Sequence, residues 1–323
     1  MPERISGSMA ERFGMEIRME ISKDRVYENL CEIAGRENVF TDEDMSRHVT
    51  FRAGGRAKYF LTPPSKQAMA VMLSYLRTQH INYYIIGNGS NLLVRDEGYD
   101  GVIVKIGGAF SDIKIDLEKN QLYFGAGTYL SKAAGVALEH SLTGMEFAAG
   151  IPGMIGGAVA MNAGAYGGEL KDIIDQVWVM NTDGRELCLS NEEMQFGYRT
   201  SLLQKEKFIC LGASVILQRG SSDEIAKKMQ ELLEARKEKQ PLEYPSAGST
   251  FKRPEGYFAG KLIMEAGLRG FSVGEACVSE KHCGFVVNKG KATATDIINV
   301  IDKVTEMVYK SFGIKLEPEV KII

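Results

Sequence analysis

Apolar positions along this chain follow two periods, and the switch between them outlines the elements. Ala68, Met69, Met72, Leu73 and Leu76 make one stripe at helical spacing. Ser65 stands in the capping position before them, which predicts a helix to about His80. An amphipathic run from Ser22 to Ala34, stopped by Gly35, predicts an earlier helix. Short apolar runs at Ala57–Leu61, before Pro63-Pro64, and at Tyr83–Ile86 and Leu92–Val94 predict strands. This order of strand, helix and strand makes a small α/β unit. From Gly101 to about Arg219 the strand-like runs are Val102–Ile106, Gln121–Phe124, Val177–Met180, Arg185–Leu189 and Phe208–Leu217. With a helix over Leu130–Glu139, they predict an antiparallel-leaning α+β region. A charged helix opened by Ser222 and stopped by Pro241 reads as a solvated face and a boundary. Beyond it lie apolar Leu262–Ala266, a strand at Cys283–Asn288, a helix from Thr295 to about Phe312 and a closing strand, Lys315–Ile323.

Neither period holds in the stretch from Gly150 to Glu169. Seven glycines fall between residues 150 and 168, spaced by Ile, Met, Ala and Val instead of the polar residues of a flexible linker. Glycine among small apolar residues means main chain running close to something, with N–H groups unscreened by side chains. Two further glycine loops, Gly87-Asn-Gly-Ser-Asn91 and Gly125-Ala-Gly127-Thr128, point to a large anionic ligand with a flat apolar part, gripped more than once. For a single loop, a tight turn at a sheet corner is the plainer reading. Gly87-x-Gly89 is only a weak match to a nicotinamide-type dinucleotide fingerprint. Leu92 stands where a third glycine would, and the loop enters a strand where that motif needs a helix.

Composition narrows the class further. At 323 residues, 44% hydrophobic and 25% charged, the chain is an ordinary globular protein able to bury a full core. A formal net charge of -3 gives no electrostatic ground for nucleic-acid or membrane binding. No run reaches the roughly 18 apolar residues of a membrane span, and the charged start carries no secretory pattern. Residues 1–20, with Met9, Met15 and Met19 as alternative starts, read as a tail. The cysteines at 31, 188, 210, 277 and 283 form no C-x-x-C, and His48, His80, His140 and His282 stand far apart. These features predict reduced thiols, no zinc site and a cytoplasmic location.

Three motifs place polar groups in tight or apolar surroundings: Phe196-Gly-Tyr-Arg-Thr-Ser201, Ser246-Ala-Gly-Ser-Thr-Phe-Lys-Arg-Pro254 and Leu316-Glu-Pro-Glu-Val320. Together with Phe51-Arg52-Ala-Gly-Gly-Arg56 and the glycine loops, in this order and spacing, they make the chain similar to the UDP-N-acetylenolpyruvoylglucosamine reductase family. The likeness runs from about Asn38 to the last residue. It implies an α+β fold: a two-part FAD-binding region of the p-cresol methylhydroxylase type, then a smaller α/β substrate-binding domain. The corresponding division is 21–100, 101–220 and 221–323, with 315–323 returning toward the active site.

The resemblance also implies the chemistry. Hydride from reduced FAD adds to the enolpyruvyl methylene only if charge on the carboxylate side is stabilised, and the carbanion that forms then needs a proton. Arg199 would supply the charge, Ser249 the proton and Glu319 a supporting hydrogen bond. A carbanion is basic enough for a neutral hydroxyl to protonate it. Noncovalent FAD would be held by Arg52, Gly87, Asn88, Gly89, Ser90, Asn91, Leu92, Gly125, Gly127 and Thr128. The 150–166 block would add Gly150, Ile151, Pro152, Gly153, Ile155, Gly156, Gly157, Ala158, Asn162, Gly164, Ala165 and Tyr166. Lys239, Lys252, Arg253 and His282 are the candidate substrate contacts, and Arg236 resembles a family position facing nucleotide phosphates. NADPH is the implied reductant, UDP-N-acetylglucosamine enolpyruvate the small-molecule substrate, and a monomer the working unit. Read without the resemblance, Arg199 is equally an ion-pair partner, Ser249 a turn residue, Glu319 a surface charge, and Lys252 and Arg253 solvated cations. His282 is equally a structural histidine. The two-residue interval between Arg219 and Ser222 leaves no room for the loop that folds a tyrosine over substrate in one branch, so the chain resembles the shorter type. An FAD oxidase of the same fold and a non-catalytic UDP-sugar binder are the competing readings.

Overall fold

The computed structural model describes residues 25–323, so the expected tail and the start of the first helix at Ser22 lie outside the described residues. The first unit is a four-stranded sheet in the order Val39–Asp44, Arg56–Leu61, Tyr99–Lys105, Tyr83–Ile86. Its first pair is antiparallel and the other pairs are parallel. Helix Lys66–Thr78 makes the crossover, with Ser65 Oγ accepting the N–H of Ala68 at 3.1 Å as the expected cap. Strand Tyr99–Lys105 pairs on both sides within this sheet, so the expected division at residue 100 falls inside the strand and the first unit runs to Lys105.

Alternation along these strands explains why the sheet sits in the middle of the molecule. Tyr59, Leu61, Val102 and Val104 pack with Leu30, Met69 and Leu73 in a core shared with the second unit. Phe60, Ile86 and Ile103 point the other way, into a core shared with Ile263, Ile297, Ile301 and Val304 of the C-terminal unit. Both faces are covered at the sheet's centre, where Tyr59–Leu61 and Val102–Val104 read as apolar runs, while the edge strand Val39–Asp44 is mostly polar and partly exposed.

The second unit is a five-stranded antiparallel sheet ordered Glu186–Ser190, Ile174–Met180, Ile209–Ile216, Gln121–Gly125, Ile113–Asp116. Helices Leu130–Glu139 and Ile155–Ala160 lie against it, the second of them inside the glycine block. The charged helix, Ser222–Lys239, packs on Leu130–Glu139, Leu142–Thr143 and Glu146–Ala148. It therefore belongs with the second unit, and the boundary expected at 220 moves to its far end.

The C-terminal unit has a three-stranded sheet, Ser272–Val273, Ala276–Val278 and Val286–Asn288, covered by helix Ala294–Phe312. The expected closing strand over 315–323 is shorter. Only Lys321–Ile322 pairs, in parallel, with Leu92–Leu93 of the first unit. Pro318 has no N–H to extend that ladder, and its segment instead lies against the 250–252 segment: Lys252 N–H donates to Glu317 O, and Glu319 N–H to Thr250 O, both at 2.8 Å.

Candidate active site

A cavity of about 480 Å³ opens where the three units meet. One wall is the loop Gly87–Asn91 between strands Tyr83–Ile86 and Leu92–Leu93. Gly89 has φ +63°, and a Cβ on it would lie 2.1 Å from the carbonyl oxygen of His48, so no other residue fits without displacing the loop. Among the described residues, no acceptor takes the N–H groups of Gly87–Asn91. They belong to residues that line one cavity wall and take no protein acceptor, and main-chain N–H groups left free in a glycine loop can bind a phosphate. Two side chains of this loop bond to other lining residues: Asn88 Nδ2 donates to Pro152 O at 2.6 Å and Asn91 Nδ2 to Glu319 O at 3.1 Å.

The adjoining wall comes from Ile151–Met154, Gly157, Ala158, Ala160, Met161 and Ala163–Ala165. A Cβ added at Gly157 meets nothing within 4 Å, so here the missing side chain leaves open space. Flat apolar wall and donor row together fit a dinucleotide with an aromatic ring. The orphaned polar atoms point the same way. Gln240 Oε1 and Arg199 Nε, both of lining residues, are buried without a hydrogen-bond partner. The residues present therefore fit FAD.

Several expected cofactor residues do other work. Gly125 and Gly127 do not line the cavity; a Cβ on either would lie 2.2 Å and 2.4 Å from the carbonyl oxygens of Phe110 and Gly107, so they are glycine for close packing. Thr128, Ile155 and Gly156 stand behind the wall, with the N–H groups of Ile155 and Gly156 given to Thr128 O and Ala126 O. Asn162 is buried and its amide is fully used: Nδ2 donates to Glu169 Oε2 at 2.7 Å and Gly197 O at 3.2 Å, and Oδ1 accepts from Lys171 N–H at 2.9 Å. Arg52, Gly150 and Tyr166 also fall outside the lining.

Arg199, Ser249 and Glu319 come from three separate segments and line this one cavity. Arg199 Nε lies 2.9 Å from Glu319 Oε1, both side chains being largely buried. The N–H does not point along that line, so the contact is ionic and the donor stays unspent. Burial pushes the Glu319 carboxyl above its ordinary value, with the Arg199 guanidinium pulling less strongly the other way. Ser249 Oγ is half-buried and donates to Phe251 O at 3.2 Å. Its segment is fixed by Thr250 N–H donating to Gly284 O at 2.8 Å.

His282 also lines the cavity. Its Nδ1 accepts the N–H of Gly284 at 3.1 Å, and burial lowers its pKa, so the ring is neutral with its proton on Nε2. Lys239, Lys252 and Arg253 do not line it. Lys252 pairs with Glu317 at 3.1 Å, and Arg253 stacks on Phe258 at 3.9 Å. Arg236 does line it: burial lowers its pKa, and no carboxylate pairs with it among the described residues. Gln204 and Lys321 line it too, and sequence reasoning missed both. A second hollow of about 920 Å³ lies beside Tyr27, Tyr59 and Tyr99, but its Arg56–Asp42 and Lys58–Asp100 pairs neutralise one another.

The comparisons agree with this geometry. Residues 57–190 match an FAD-binding domain, and residues 240–323 match the C-terminal domain of UDP-N-acetylenolpyruvoylglucosamine reductase. A reductase of that name from Caldanaerobacter subterraneus is 49% identical over 296 residues, which cover 92% of this chain and 97% of the relative. One from Agathobacter rectalis is 50% identical over 292 residues, covering 87% and 93%. The crystal structure of the enzyme from Thermus caldophilus superposes with a TM-score of 0.74 at 35% identity, covering 88% of this chain and 97% of that one. No helix among the described residues is long and apolar enough to cross a membrane. On near-half identity along almost the whole length of both chains, the chain belongs to the UDP-N-acetylenolpyruvoylglucosamine reductase family.

Proposed function

We propose that this FAD-dependent oxidoreductase reduces UDP-N-acetylglucosamine enolpyruvate to UDP-N-acetylmuramate with NADPH, as a cytoplasmic monomer supplying peptidoglycan precursors. One observation carries the reading: the buried Arg199–Glu319 pair shares a cavity with Ser249 and with a wall of unsatisfied main-chain donors. Bound FAD supplies the chemistry of taking hydride from NADPH and giving it to the alkene.

The side chains supply the rest. N–H groups of Gly87–Asn91 hold the cofactor diphosphate, and the wall around Gly157 and Ala158 keeps water from its ring. Arg199 binds the substrate carboxylate and stabilises the charge that builds there when the double bond is reduced. A substrate carboxylate beside Arg199 adds a second negative charge next to Glu319, and this favours the protonated form that burial already promotes. Protonated Glu319 then donates a hydrogen bond where its carboxylate would repel. Ser249 Oγ gives its proton to the carbon next to the carboxylate. Arg236 and Lys321 are the lining cations available to the substrate diphosphate, with His282 Nε2–H as a neutral donor.

Ser249→Ala tests this assignment. NADPH should still bleach the bound flavin at the wild-type rate, while return of colour on adding enolpyruvyl substrate slows by about 10²- to 10⁴-fold. Equal slowing of both half-reactions would make Ser249 a structural residue. Bleaching that required the sugar nucleotide would refute the two-stage order.

A further inference from the structure

The main chain of Arg199 holds an unfavourable conformation. Its φ is +55°, in the left-handed region that side chains other than glycine rarely adopt. The turn carrying it is closed by two weak bonds between Gly197 and Thr200, 3.1 and 3.3 Å long. Beyond that turn, one side chain reaches the Arg199 main chain. Gln204 Nε2 donates to Arg199 O at 3.2 Å and to Ala160 O at 2.8 Å. An amide oxygen could not face two carbonyl oxygens, so the amide orientation follows from the network itself. Ala160 ends the helix Ile155–Ala160 that forms the cavity wall, and Ser201 Oγ donates to the same carbonyl at 3.0 Å. Gln204 thus ties the loop that carries the guanidinium to the wall against which the ligand lies.

The other member of the ion pair is held in a matching way. Asn91 Nδ2 donates to Glu319 O at 3.1 Å, and the Asn91 and Gln204 amides meet at the sulfur of Met161, at 3.9 and 3.6 Å. The two amides thus each bond to the main chain of one of the two residues whose side chains lie 2.9 Å apart.

We propose that Gln204 is the positioning residue for Arg199: its amide bonds to Arg199 O and Ala160 O hold the left-handed turn that aims the guanidinium at the substrate carboxylate. The inference rests on the proposed function, since it assigns Arg199 to that carboxylate. The amide protons of Gln204 go to two main-chain carbonyls, so reduction of the flavin by NADPH should depend on it less than reoxidation by substrate.

The test compares Gln204→Met, which keeps length without the donors, and Gln204→Glu, which keeps shape but puts oxygen against the two carbonyls. Each is measured in the wild-type and Arg199→Ala backgrounds, with FAD retention and bleaching by NADPH followed alongside. In the wild-type background, the rate of substrate-driven flavin reoxidation should fall about ten- to hundredfold, more for Glu than for Met, and bleaching should slow far less. In the Arg199→Ala background, either change should cost less than about threefold, because the residue it aims is gone. Equal losses in the two backgrounds, or bleaching that slows in step, would overturn the proposal, as would wild-type reoxidation in both variants. A variant that loses FAD or fails to fold while the other behaves as wild type also counts against it. If the unsubstituted protein bleaches with NADPH but is never reoxidised by the enolpyruvyl substrate, the functional reading fails instead, and that outcome is separate.

Discussion

Gly89 and Gly157 face the same cavity, yet adding one methyl to each should have opposite effects on the flavin-free protein. At Gly89 the methyl carbon would stand 2.1 Å from His48 O, so the loop must open by about 0.9 Å to reach even 3.0 Å. The left-handed φ costs Ala about 1–2 kcal/mol, and forcing the contact about 1–3 more. Gly89→Ala should therefore lose about 2–5 kcal/mol of stability and, with its donor row displaced, most of its FAD affinity. At Gly157 the methyl enters open space from a helical residue. Flavin-free Gly157→Ala should gain about 0.5–1 kcal/mol from the glycine's lost chain entropy. The same methyl takes volume from the ligand, and overpacking by about 1–3 kcal/mol weakens FAD about five- to 150-fold. Urea unfolding of flavin-stripped protein and titration with FAD read the two effects separately. Gly157→Ala that binds FAD like wild type would show that the helix Ile155–Ala160 does not abut the cofactor, and the cavity assignment would fall with it. Gly89→Ala of unchanged stability would refute the close-approach argument.

Asn162→Ala should cost about 2–4 kcal/mol in chemical denaturation, because it strands Lys171 N–H and Gly197 O in a buried setting. A direct cofactor contact alone would instead lower FAD affinity at unchanged stability. For His282, burial lowers the pKa, so below the ordinary imidazole value near 6.5 the unfolded chain binds a proton that the fold refuses. The stability this group contributes is complete above that value and is lost as pH falls toward the depressed one. Wild type should therefore lose more stability than His282→Gln between pH 7.5 and 5.5, and parallel losses would contradict it.

Elements with a strong local period were legible at their true bounds. Leu130–Glu139 and Tyr83–Ile86 coincide with expectation, since apolar spacing and flanking breakers act within one turn or strand. The helix expected from Thr295 starts at Ala294 with Thr293 as cap, because Asp296 sits three residues after Thr293 and completes a capping box. The helix Ile155–Ala160 was not legible. Glycine and alanine give no amphipathic stripe, and its first N–H groups are satisfied by Ala126 and Thr128, far away in sequence. For the site, Arg199, Ser249 and Glu319 were candidates only through family likeness. Nothing local marks Gln204 or Lys321, because their roles depend on chain crossings more than forty residues apart, such as Gln204 on Ala160. Asn162 shows the converse: a polar residue in a glycine block suggests a ligand contact, yet its amide is consumed by the fold.

The arrangement of the three candidate catalytic groups follows from how the chain closes. Glu319 is latched twice through its main chain: its N–H donates to Thr250 O next to Ser249, and its C=O accepts from Asn91 in the Gly87–Asn91 loop. Two residues later Lys321 N–H donates to Asn91 O. Cofactor loop, serine segment and carboxylate thus form one hydrogen-bonded unit, and Arg199 arrives from the second sheet on a strained turn. A buried ion pair with an ill-aimed N–H and a left-handed arginine is a poor source of stability, because desolvation offsets most of the attraction. Such a pair persists for another reason. Arg199 Nε is buried without a hydrogen-bond partner, and both members of the pair line the cavity. The fold thus leaves polar capacity unspent beside the cavity in which the substrate carboxylate is proposed to bind.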